Sequence, residues 1–110
     1  MEALTYDPGG VVELFGETDA RELLGLALAD LQGRLGTLRQ HLEAGETALA
    51  AKAAHSIAGV SGNVMAMTLS DSARELEGAL LEGHGVSDAL VEAVVDEGAA
   101  VLSTIETFLA

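Results

Sequence analysis

The sequence predicts an all-α fold, an antiparallel up-down four-helix bundle with a short N-terminal extra helix. Alanine and leucine dominate, while one tyrosine, two phenylalanines and a single proline make a composition that favours helices and suits strands poorly. Apolar residues recur at steps of three and four in four long segments. Glycine, asparagine or a capping residue marks each break, so the loops are short, and short loops join antiparallel neighbours. At 110 residues with 49% hydrophobic side chains, the chain is expected to bury one core and form a single domain over 1–110.

Residues 8–15, with Val11, Val12, Leu14 and Phe15, are read as the short extra helix or an apolar plug over one end. The first long helix, 20–44, carries the strongest periodic signal: Leu24, Leu28, Leu31, Leu35, Leu38 and Leu42 fall along one stripe. Asp19 is its expected N-cap, Glu22 completes a capping-box-like start, and Gly45 stops it. A second helix, 46–61, places Leu49, Ala53, Ile57 and Val60 inward and breaks at Gly62 and Asn63. The third turns Ala66, Leu69, Ala73, Leu76 and Leu80 inward until the turn around Gly83, His84 and Gly85. Ser87 caps the fourth, whose inner side holds Leu90 or Val91, Val94, Val101 or Leu102, Ile105 and Leu109. Gly25, Gly33, Gly36, Gly78 and Gly98 lie inside helices, each at about 1 kcal/mol relative to alanine. Close helix approach explains some of them, and Gly25, Ala29, Gly33 and Gly36 share a face.

Five Lys and Arg against 18 Asp and Glu leave a formal charge of −13, which repels phosphate backbones and anionic lipid surfaces. Neither nucleic acid nor membrane is an expected partner. No apolar run approaches the roughly 20 residues of a membrane span, and the start lacks a secretory signal, so a cytoplasmic monomer is expected. Without cysteine there is no disulfide framework, thiolate metal site or thiol nucleophile.

Two features single out the second helix. At about 100° per residue, His55 falls opposite the inward set, on a face otherwise made of Ala48, Ala51, Ala58, Gly59 and Gly62. An exposed imidazole on a smooth strip of small residues suits a flat or concave docking partner. The 24 residues Thr47 to Ser70 contain no Asp or Glu, where about four would be expected from the overall composition. Lys52, one turn before His55, is the only Lys or Arg in that window, which suits transient anion binding.

Ala54, His55, an aliphatic residue at Ile57, the small residues Gly59, Ser61 and Gly62, and the downstream pair Leu76 and Glu77 together resemble the histidine-containing phosphotransfer (HPt) domain of two-component phosphorelays. The likeness covers the whole chain in length and helix order; its specific residues lie between Ala54 and Glu77. It implies that His55 accepts a phosphoryl group from an aspartyl phosphate on a response-regulator receiver domain, or from a sensor histidine kinase, and passes it on. It implies a phosphocarrier rather than an enzyme, with no cofactor or metal of its own and Mg²⁺ on the partner receiver. Glu77 stands where the family often has Glu or Gln facing the histidine, and would orient the ring. Two departures stand out: Ala58 replaces a lysine common three residues after the histidine, and Met65 a common glycine. Lys52 is the nearby cation able to substitute as phosphate stabiliser. The initial Met1 slightly favours a free-standing shuttle.

Other readings fit less well. A kinase dimerisation helix needs a nucleotide-binding domain, and no glycine-rich phosphate loop is present. A carboxylate-bridged metal bundle needs Glu-x-x-His, yet Leu38, Lys52 and Leu81 precede His41, His55 and His84 by three. His41 is expected to serve the C-terminus of its helix, and His84 to sit in a glycine turn. A non-catalytic docking bundle of the same family remains the alternative, supported by Ala58.

Overall fold

The computed structural model describes residues 6–83 and 85–110 and contains no strand among them. Five helices follow in order: α1 (Gly9–Phe15), α2 (Glu17–Glu43), α3 (Thr47–Asn63), α4 (Met67–Glu82) and α5 (Asp88–Leu109). α2 packs against α3 and α5, and α4 does the same, so the long helices close a ring in chain order while α1 leans on α2. At about 1.5 Å per residue the 27 residues of α2 span about 40 Å, which sets the 42 Å long axis.

The leucine stripe of α2 supplies the core. Leu24, Leu31 and Leu38 are fully buried, with Leu28, Leu35 and Leu42 packed at its margin. The inward positions expected on α4, Ala66 through Leu80, are all buried, as are Val94, Val101 and Ile105 on α5. Local chemistry sets several helix ends. The Leu90 backbone N–H donates to Ser87 Oγ at 3.3 Å, and Gly45 and Gly83 take the left-handed conformation that closes α2 and α4. Arg21 donates to the carbonyls of Phe108 (3.3 Å) and Leu109 (2.8 Å) and lies over the Phe108 ring. It thereby satisfies carbonyls that the end of α5 leaves unpaired and ties that end to α2.

Several expectations change. Gly16, not Asp19, is the N-cap of α2, because the helix runs back almost to α1; Asp19 lies in the first turn instead. Val11 is fully buried in α1, but Leu14 and Phe15 are exposed, so only part of the apolar plug is seated. A Cβ added at Gly25, Gly33 or Gly36 would meet nothing within 4 Å, so close helix approach does not explain them. That role belongs to Gly98, where a Cβ would lie 2.8 Å from Leu35 Cδ1. α3 continues through Asn63, and the chain turns two residues later at Met65, the single non-glycine with positive φ among the described residues. Left-handed backbone there gives a physical reason for glycine at this position. The turn around His84 lies outside the described residues.

The segment before α1 is strapped to that same turn. Tyr6 donates its hydroxyl to the Val64 carbonyl at 2.8 Å, at the C-cap of α3. Burial, reinforced by the Asp7 charge, pushes the Tyr6 phenol up to about 12.

Candidate functional site

α3 is rich in alanine, and alanines settle where helices approach most closely. The seam with α4 is such a place: Ser70 Oγ donates to the Ala58 carbonyl at 2.9 Å, and a Cβ at Gly62 would lie 3.6 Å from that same hydroxyl. Ala51 and Ala58 are each only 3% exposed. Both are expected on the outer strip; the structure buries them in the bundle instead. Leu49, expected inward, is 47% exposed instead. The buried arc of α3 is therefore rotated by roughly 80° from that expected, given about 100° per residue.

The outer strip is correspondingly narrower. Ala48 and Gly59 are exposed and Gly62 is half-buried, on the face that carries His55. A Cβ at Gly59 would meet nothing within 4 Å, so the surface one turn after the histidine is open. The His55 side chain is 74% exposed, and its Nδ1 lies 2.9 Å from Oε2 of Glu77, itself 22% exposed on α4. A carboxylate only accepts, so Nδ1 is the nitrogen that donates, and in the neutral ring Nε2 keeps its lone pair, pointing away from the pair. Lys52 is exposed one turn before His55, displaced round the helix toward α2 as Glu77 is toward α4.

The rotation of α3 also brings out residues that periodicity alone did not select. Leu49, Lys52, Ala53 and Ser56 form one wall of a shallow cleft of about 150 Å³, and Arg34, Thr37 and His41 of α2 form the other. The retrievable signal was the alanine set 51, 54 and 58, whose helical spacing marks the close seam and pushes Leu49 to the rim. Arg34 is bound to Asp30 at 2.8 Å within α2. His41 Nδ1 lies 2.7 Å from Glu46 Oε1, so its ring tethers the α2–α3 turn, and the Glu46 backbone N–H donates to the His41 carbonyl. No helix among the described residues is long and apolar enough to cross a membrane.

Among the described residues, then, a ring of four helices presents the exposed His55 imidazole, braced by a carboxylate from the next helix. The Hpt domain model matches residues 22–107, and the chain belongs to that family, the histidine phosphotransfer domains of phosphorelays. Hpt domains are phosphocarrier-type domains that interact with receiver domains and histidine kinases. No curated protein and no solved structure matched the chain.

Proposed function

We propose that this chain is a phosphorelay intermediate that takes a phosphoryl group onto Nε2 of His55 from a receiver aspartyl phosphate, or from a histidine kinase, and hands it to another receiver. The observation that carries this reading is the 74% exposed ring whose Nδ1 is engaged by Glu77, since in the neutral ring that contact leaves the Nε2 lone pair available for attack. In the transfer, the Nε2 lone pair forms the N–P bond, the P–O bond to the aspartate breaks, and the aspartate leaves as carboxylate. The ring keeps its Nδ1 proton and becomes positive, a charge that Glu77 offsets. The bundle supplies position, and Mg²⁺ held by the receiver neutralises the phosphoryl oxygens. Ala48, Gly59 and Gly62 form the surface on which the receiver rests.

Lys52 is proposed as the cation that steadies the phosphoryl oxygens in place of a lysine at position 58. Position 58 is buried against α4, whereas Lys52 is exposed one turn before His55. Lys52→Ala is expected to slow transfer or shorten the life of the phosphohistidine, and unchanged kinetics remove it from the mechanism. The second reading, a docking bundle without chemistry, rests on Ala58. One assay separates the two: a panel of receivers charged with acetyl phosphate and Mg²⁺ is mixed with the domain. An acid-labile, base-stable adduct lost in His55→Gln supports the carrier. A receiver that binds the His55 face without transferring supports the docking bundle.

A further inference from the structure

The seam between α2 and α5 is diagonally across the ring from the α3–α4 seam that holds His55 and Glu77. The two helices meet closely where Leu35 abuts Gly98, and beside that contact the seam opens. Two hollows of about 260 and 300 Å³ adjoin there and share Leu35, Arg39 and Val95. Leu38 and Leu42 on one side and Val91, Val95 and Leu102 on the other make them apolar. The rim is acidic: Glu43, Glu92 and Asp96 stand around the larger hollow with Arg39 as its only Lys or Arg.

We propose that this trough is a docking site for a basic amphipathic helix of a partner protein, engaged while His55 remains free. Three features select that occupant. The hollows follow one another along the seam, one between Gly36 and Leu102 and the other between Leu42 and Val91, so apolar side chains at i and i+4 on one face of a single helix enter both. Three carboxylates around an apolar floor, on a chain of net charge −13, favour lysine or arginine flanking those anchors and oppose acidic peptides, fatty acids or anionic lipid. The position away from His55 lets the domain be held by one partner while it exchanges phosphate with another.

The probe is a fluorescein-labelled leucine–lysine peptide of about 18 residues with leucines at helical i, i+4, i+7 and i+11 spacing. A peptide of identical composition in scrambled order keeps the charge and loses the apolar face. Anisotropy titration of the intact chain is expected to show at least tenfold tighter binding of the ordered peptide. Gly36→Leu fills one hollow, and Ala99→Lys places a cation at its edge; both positions are exposed, and a Cβ at Gly36 meets nothing within 4 Å. Each variant is expected to keep its helical circular dichroism and weaken the ordered peptide at least tenfold, whereas His55→Gln binds it as the parent does. Equal affinity for the two peptides, or affinity unmoved by both variants, overturns the proposal. So does sedimentation of the parent as a dimer that Ala99→Lys dissociates, because the occupant is then a second copy of the chain.

Discussion

In the proposed carrier, a single carboxylate positions the His55 ring. Free imidazole distributes its proton between two nitrogens, but Glu77 at 2.9 Å holds it on Nδ1. Glu77→Leu is therefore expected to shift the His55 tautomer toward Nε2–H, read from the ¹⁵N shifts of the ring, and to slow phosphotransfer. Loss of a partly exposed charged hydrogen bond is worth about 1 kcal/mol, or roughly fivefold in rate. A shifted tautomer with undiminished transfer would remove Glu77 from the positioning role. Tyr6 makes the corresponding test for the N-terminal strap. Its phenol titrates higher when folded than when unfolded, so the stability it contributes is fully present below about pH 10 and is lost as the pH rises toward 12. Tyr6→Phe is expected to lower stability by about 1 kcal/mol at neutral pH and to flatten the alkaline fall in urea midpoint. The legibility of these contacts differed. The Glu77 position was carried by the family likeness on residues 54–77, whereas nothing in local periodicity joins Tyr6 to Val64, 58 residues away.

At the scale of elements, the helices of this chain differ in how much their glycines matter. Gly33 is exposed, and a Cβ there meets nothing within 4 Å, so Gly33→Ala is expected to stabilise the protein by about 0.5 to 1 kcal/mol. At Gly98 the new Cβ would press on both Cδ atoms of Leu35, at 2.8 and 3.0 Å. Overpacking of about 1 to 3 kcal/mol then offsets or exceeds the same helix-propensity gain. Parallel thermal melts of the two variants are expected to move in opposite directions, or Gly98→Ala not at all; equal stabilisation would show that the α2–α5 contact is loose. The leucine stripe of α2 was readable because each leucine has a large driving force for burial, so only one rotation of the helix satisfies six of them. α3 offered no such constraint. An alanine methyl is nearly indifferent to its surroundings, and periodicity could not tell Leu49 inward from Ala51 and Ala58 inward.

For the whole molecule, 18 acidic against five basic side chains means that folding concentrates repulsion. Raising sodium chloride from about 0.01 to 1 M shortens the screening length from about 30 to 3 Å and is expected to raise Tm by several degrees. A flat profile would mean that the carboxylates are already far enough apart. The window Thr47–Ser70 contains no Asp or Glu, so α3 adds no carboxylate of its own to that repulsion. Composition and the spacing of large apolar side chains by themselves determined the helical class, the four long helices and their order, because these depend on local propensity and on burial forces that leucine periodicity reports directly. The motif around His55 determined the family. Tertiary structure alone decided the rotation of α3, the burial of Ala51 and Ala58, the strap from Tyr6 to Val64 and the opening between α2 and α5. Each of these depends on how closely two helices approach, and that distance is set by the small residues on both sides of a seam rather than by the pattern along either helix.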